Sequence, residues 1–228
     1  MTDPLAGSAW SRPETVRGFV ASAPNADLLE FATRVMARRT GRLAVDIGCG
    51  AGRNAIPLAA QGWTVVGADL SMPMLTAAAE RGHDARRGSR VQFVLAPMQH
   101  LPLGGATCDL VVAHGIWNLA RSGREFRAAV REAARVAAAD AGLFVFTFSR
   151  NTFPPGTQPV AGESFVFTEF SGEPQCFLTA AQLVDELGTA GFVADPALPI
   201  QELNRPPSGF RLGGGPPVIY QAAFRRAA

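Results

Sequence analysis

The run Leu43-Ala44-Val45-Asp46-Ile47 empties directly into Gly48-Cys49-Gly50-Ala51-Gly52, and a helical stretch, 53–61, follows. Three alternating glycines between a buried strand and a helix leave backbone amides bare at the helix entrance, where they can approach a ligand closely. The next apolar run, Thr64-Val65-Val66-Gly67-Ala68, closes on Asp69. In doubly wound folds that position accepts hydrogen bonds from a ribose, and Asp46 stands at the matching end of the first strand. A plain tight turn needs one or two glycines and no acid at both strand ends.

The rest of the chain repeats this strand-then-helix unit. Short apolar runs rich in Val, Ile and Phe at 43–47, 64–68, 91–95, 109–113 and 143–148 read as strands buried on both faces. Between them, 27–39, 53–61, 72–81, 122–138 and 179–190 read as helices, with Ser122 and Thr179 as N-caps and Gly41, Gly62, Gly82, Gly142 and Gly191 as helix-ending glycines. This alternation predicts an α/β fold, a doubly wound, Rossmann-like, mostly parallel sheet of seven strands. At 228 residues the chain suits a single domain. Residues 150–178, Pro/Gly-rich and then Phe-alternating over 164–170, read as an inserted rim segment with an added strand. Residues 1–26 read equally as an N-terminal lid or as a disordered segment, and 205–217 as a loop into a last strand, 218–224.

Charge and composition remove several functions. With 21 basic and 19 acidic side chains the balance is too even to call for a nucleic acid. No lysine is present, which excludes Schiff-base chemistry and a phosphate-binding P-loop lysine. Cys49, Cys108 and Cys176 lack paired spacing, so a reducing compartment, the cytoplasm, is expected and a metal is not. No apolar run reaches membrane-spanning length. The expected partner is a small molecule, and the expected state a monomer or homodimer.

Gly50-Ala51-Gly52-Arg53-Asn54-Ala55 also satisfies the G-x-G-x-x-A form used for dinucleotides. Register speaks against that rival: counted from the strand the first pair is Gly48 and Gly50, which puts Arg53 where a third glycine belongs. Asp46 also suits a cationic amino-acid ligand better than a pyrophosphate. Val45-Asp46-Ile47-Gly48-Cys49-Gly50-Ala51-Gly52 followed by Gly67-Ala68-Asp69-Leu70-Ser71 resembles the first two motifs of class I S-adenosylmethionine-dependent methyltransferases. The resemblance runs from about Leu43 to Phe148. It implies an antiparallel last strand and S-adenosyl-L-methionine as cofactor, with S-adenosyl-L-homocysteine as product. Asp46, Gly48, Cys49, Gly50, Gly52 and Asn54 would then hold the methionine end, Asp69 the ribose, and Leu70, Met74, Pro97 and Met98 the adenine side. The acid that the family commonly carries near Pro97 is absent here, which leaves the Met98 backbone or the Gln99 side chain for the adenine amino group.

Reaction in such folds occurs beyond the carboxyl ends of the central strands, here at His114-Gly115-Ile116-Trp117-Asn118. His114 is the candidate general base, by its ordinary near-neutral pKa, or else a residue that packs with Gly115 against the cofactor. Trp117 and Asn118, with Trp10, Phe19, Arg150, Asn151 and Tyr220, are the candidate acceptor contacts, Trp117 standing equally well as core. The leading function is methyl transfer to a small, apolar or aromatic metabolite, of the natural-product kind. The alternatives are non-methylating chemistry such as cyclisation on the same fold, and a nicotinamide-dependent oxidoreductase.

Overall fold

A computed structural model describes residues 3–84, 90–207, 209–210 and 215–228. Parts of the expected 205–217 loop, and the first two residues of the expected lid, lie outside the described residues. In chain order the elements are α1 (Pro13–Ala21), α2 (Ala26–Arg38), β1 (Leu43–Ile47), α3 (Ala55–Ala60), β2 (Thr64–Asp69), α4 (Met72–Asp84), β3 (Val91–Leu95) and β4 (Cys108–His114). There follow α5 (Gly123–Val136), β5 (Ala137–Phe148), β6 (Val166–Phe167), β7 (Gln175–Cys176), α6 (Ala180–Thr189), β8 (Phe192–Ala194), β9 (Gln201–Leu203) and β10 (Ile219–Arg226).

The sheet runs β3-β2-β1-β4-β5-β10-β8, with β9 also on β10. The first five strands are parallel and β10 is antiparallel to β5. β8 pairs with residues 224–226 of β10 and β9 with residues 219–221, so both occupy the same edge at different heights. The sheet is therefore seven strands wide. The order reverses at β1 and β4, which opens a crevice above their carboxyl ends.

Each face of the sheet buries one helical layer. Leu28, Phe31, Ala32 and Val35 of α2 pack with Ala44, Leu110, Val112 and Phe144 on one side. Phe126, Ala129, Val130, Ala133 and Val136 of α5 pack with Val45, Val111, Ala113 and Val145 on the other. Each fully buried large side chain contributes about 1.5–3 kcal/mol. Ser122 caps α5 by accepting the Glu125 N–H at 3.1 Å, and Thr179 with Gln182 forms a capping box on α6.

Two expectations change. Residues 164–170 do not join the main sheet; only Val166 and Phe167 are extended, in a separate ribbon with Gln175 and Cys176. The surrounding phenylalanines bury one another instead: Phe153, Phe167 and Phe177 form a satellite cluster, joined by Phe148 and Phe170. The expected helix-ending glycines also divide. Gly62 and Gly191 have φ of 106° and 83° and fit that role, whereas Gly82 lies within α4 and Gly142 within β5.

Gly142 is needed for contact. A Cβ there would stand 2.6 Å from Val35 Cγ2 and 3.0 Å from the Phe31 ring. Val35 is stiff at χ1 and cannot swing aside cheaply. Gly142→Ala is therefore expected to cost about 1–3 kcal/mol by overpacking. A denaturant titration reads this, and an unchanged midpoint would show that α2 yields freely.

Candidate functional site

Gly48, Gly50 and Gly52 all have positive φ, 70°, 51° and 74°. The loop is pinned at its base by the Gly48 and Cys49 N–H groups, which donate to the Ala68 carbonyl at 2.7 and 3.0 Å. Its crest is pinned by Asp69, whose Oδ2 accepts the Gly50 N–H at 2.8 Å while Oδ1 accepts the Ser71 N–H at 2.8 Å. Burial raises the Asp69 pKa, and the donated backbone hydrogen bonds pull it back down. A Cβ on Gly48 would collide with Ile116 at 2.7 Å, and one on Gly50 would meet the Phe19 ring at 3.1 Å.

Asp46 is 1% exposed and its Oδ2 has no hydrogen-bond partner. Burial lifts its pKa to about 7, against the opposing pull of Arg53. A buried, unpaired carboxylate oxygen is costly unless something cationic or hydrogen-bonding completes it.

His114 stacks on Phe146 with ring centroids 4.1 Å apart. Arg53 Nη2 is 2.9 Å from its Nδ1 and 3.4 Å from its Nε2. A nitrogen that close to both ring nitrogens lies over the imidazole face, not on an in-plane lone pair, so the ring is sandwiched between Phe146 and the guanidinium. Burial first, then the Arg53 charge, push the His114 pKa down to about 3. In this setting the imidazole is uncharged and weakly basic, and a cation beside it opposes proton uptake.

The sequence reading gave no role to Asn25, Asp27 or Gln221, which hold this corner together with Asn54. Asn25 caps α2 by accepting the Leu28 N–H at 2.9 Å, and its Nδ2 donates to Gln221 Oε1 at 2.7 Å and lies 3.3 Å from His114 Nε2. Gln221 in turn donates to Asp27 at 2.5 Å, and Asn54 Oδ1 accepts the Asn25 N–H at 3.0 Å. Gln221, a buried amide between the apolar residues Ile219 and Ala222–Phe224 of β10, was the visible signal.

Residues from the 1–26 segment reach the glycine loop. Phe19 lies against Gly50, Trp10 meets Phe19 edge-on at 6.1 Å, Ser71 Oγ donates to the Trp10 carbonyl at 3.2 Å, and Asp3 Oδ1 accepts the Met72 N–H at 3.2 Å. Met74 is buried, its sulfur 3.9 Å from where a Gly50 Cβ would be. Leu70, Pro97 and Met98 are half-buried, Cys49 is buried, and Gly115 has a φ of 73°.

Several acceptor candidates are engaged elsewhere. Trp117 is wholly buried against Phe126 and belongs to the core, not to a pocket wall. Arg150 donates to the carbonyls of Phe153, Pro154, Pro155 and Thr157 and covers the Phe167 ring at 5.0 Å, which makes it a clamp of the inserted segment. Asn151 donates to Glu202 at 2.7 Å, and Tyr220 is buried at 6% exposure. Asn118, 2% exposed, keeps an unpartnered Oδ1. Among the described residues, no group of three His, Cys, Asp or Glu is placed to hold a metal, and no helix is long and apolar enough to cross a membrane.

Residues 45–146 match the family model of a methyltransferase domain, which spans β1 to β5 and both strand-end acids. That part of the chain matches the methyltransferase family model, and the whole has the class I methyltransferase fold. Solved structures share this architecture. The CcbJ methyltransferase from Streptomyces caelestis aligns at a TM-score of 0.64 with 20% identity, over 90% of this chain and 91% of that one. The 1,6-didemethyltoxoflavin-N1-methyltransferase of Burkholderia thailandensis, solved with its substrate and S-adenosylhomocysteine, aligns at 0.64 with 19% identity, over 89% and 79%. The [4+2]-cyclase SpnF aligns at 0.66 with 18% identity, over 89% and 81%. At these identities the likeness establishes the fold. No curated protein matches the sequence.

The residues present fit S-adenosylmethionine, the cofactor that the motif resemblance implies. The unpaired Asp46 oxygen, the side-chain-free crest at Gly50 and a carboxylate at Asp69 already fixed by two amides offer complementary groups for an amino acid and a ribose diol. The dinucleotide reading is set aside.

Proposed function

We propose that the chain transfers a methyl group from S-adenosylmethionine to a small, apolar or aromatic metabolite. The observation that carries this is the Asp69 carboxylate, held at 2.8 Å on each oxygen by the Gly50 and Ser71 amides beside the bare glycine crest, with Phe19, Trp10 and Ile116 around it. The cofactor supplies an electrophilic methyl carbon on a sulfonium. Asp69 and Leu70 hold and orient the nucleoside, Asp46 and the Gly48 to Gly52 loop hold the amino-acid end, and Phe19 and Trp10 exclude water from above. The small-molecule acceptor of the toxoflavin-pathway neighbour supports the substrate class.

With His114 neutral and weakly basic, catalysis rests on approach and alignment of the acceptor atom more than on proton abstraction by an imidazole. At saturating cofactor, turnover is accordingly expected to show no limb near the ordinary histidine pKa. A pH–rate profile of wild type and His114→Ala checks this, and a limb near pH 6.5 present only in wild type would restore the base. Asn118 Oδ1 is buried without a partner, and a donor on the acceptor that reached it would complete it.

A second reading keeps the cofactor and changes the reaction, because a cyclase shares this fold. Incubation with labelled cofactor and fractionated metabolite extract separates the two by product mass. A gain of one methylene supports transfer; turnover of a metabolite with no mass gain supports the second reading.

A further inference from the structure

Arg53 is the unexplained charge of the site. Burial opposes its ionisation, it is drawn electrostatically toward Asp46, and it forms no salt bridge among the described residues. Other cations have oxygen partners: Arg150 donates to four carbonyls, and Arg39 pairs with Asp109 at 2.7 Å. Arg53 instead spends one nitrogen on the face of an uncharged imidazole. Guanidinium carries five donors in a planar fork that matches a carboxylate, and stacking on a ring face leaves that fork in place and unspent.

Its position narrows what the fork is for. Arg53 directly follows Gly52 and opens the turn into α3, so it stands at the methionine end of the crevice, one residue beyond the glycine crest. The neighbouring unpaired group is of opposite sign: Asp46, with a buried oxygen lacking a partner. A cation with open donors and a buried carboxyl with an open oxygen, coupled electrostatically without forming an ion pair, are the complement of a zwitterionic α-amino acid.

We propose that Arg53 binds the α-carboxylate of the cofactor's methionine moiety, and that His114 is the positioning residue that props the guanidinium in place. This rests on the cofactor site described above. His114 serves as a flat, neutral platform: Phe146 backs one face, and Asn25, itself fixed by Gln221 and the α2 cap, stands at Nε2. An imidazolium in the same position would repel the arginine it carries.

Two ligands that differ in the amino-acid end make the test. S-adenosylhomocysteine carries the carboxylate and the ammonium; 5′-methylthioadenosine keeps adenine, ribose and the sulfur but lacks both. Calorimetric titration of Arg53→Met is expected to weaken S-adenosylhomocysteine by about 10–100-fold, the worth of a charge-assisted bidentate pair, and to leave methylthioadenosine within about twofold. His114→Ala is expected to weaken S-adenosylhomocysteine by roughly 3–10-fold, with no further loss when added to Arg53→Met, because both act through one contact. His114→Gln, which keeps a flat amide, is expected to recover part of the loss.

Equal weakening of both ligands by Arg53→Met, or no weakening of either, would overturn the assignment. Additive losses in the double variant would remove His114 from it. Should wild type bind neither ligand, the cofactor site itself fails; loss of both ligands in Asp69→Ala alone leaves that site standing while Arg53 is judged separately.

Discussion

Asp69→Ala is expected to weaken S-adenosylhomocysteine binding by at least about 100-fold, the largest effect of any single change in the crevice. Two losses combine. The ribose loses a charged acceptor, and the loop loses the anchor that draws the Gly50 N–H to Oδ2 and the Ser71 N–H to Oδ1. Two neutral amides left without partners, in a segment that depends on positive φ at Gly50, no longer favour the shape the ligand needs. Asp69→Asn separates the terms. The amide keeps one oxygen for one N–H and presents an NH2 to the other, so it retains part of the anchor while losing the charge. An affinity order of wild type, then Asn, then Ala is expected by calorimetry. Retention of wild-type affinity within about threefold in the Ala variant would mean that Asp69 shapes the loop without touching the ligand.

The parts of this fold that could be read from sequence are those governed by local rules. The β1 and β3 runs have the predicted bounds because an apolar stretch buried on both faces can do little else, and Ser122 and Thr179 cap helices because their side chains satisfy amides a few residues away. The loop and Asp69 were legible for the same reason. What failed to show was long-range. Gly142 looks like a helix end, but its absent side chain is demanded by Phe31 and Val35, more than a hundred residues earlier in the chain. Segment 164–170 looks like a strand because phenylalanine alternates there, yet those rings find partners in Phe153 and Phe177 before they reach the sheet edge. His114 looked like a base because its residue type titrates near neutrality. Its chemistry was decided by what stacks on it, Phe146 on one side and Arg53 on the other. Periodicity carries no information about such pairs.

The Asp46 carboxyl is the group through which pH should be felt. Its pKa of about 7, raised by burial from an ordinary 3.8, means that below neutrality the ligand-free protein holds a proton there that the unfolded chain has given up. Folding stability tied to this group is therefore greatest below about pH 4 and is lost as pH rises toward 7, by on the order of 4 kcal/mol at about 1.4 per pKa unit. His114 acts in the opposite sense over about pH 3 to 6.5, since its lowered pKa makes the unfolded chain the better proton binder. The two trends offset each other in the wild type over that range, so a simple melting curve against pH would hide both. Asp46→Asn exposes the first. The His114 contribution is common to both proteins, and the difference in unfolding free energy between variant and wild type is expected to be near zero at about pH 3.5, to favour the variant by about 1.5 kcal/mol at pH 5, and by about 4 kcal/mol at pH 8.5. Binding should run the other way. An ammonium placed against Asp46 requires the ionised carboxylate, so S-adenosylhomocysteine binding is expected to release a proton near pH 6 and to tighten as pH rises to 7. Calorimetry in two buffers of different ionisation enthalpy counts that proton, and Asp46→Asn should abolish its release while weakening binding about tenfold or more. Proton release that persists in the variant would place the titrating group elsewhere, and a variant destabilised at pH 8.5 would mean that Arg53 needs the carboxylate more than burial penalises it.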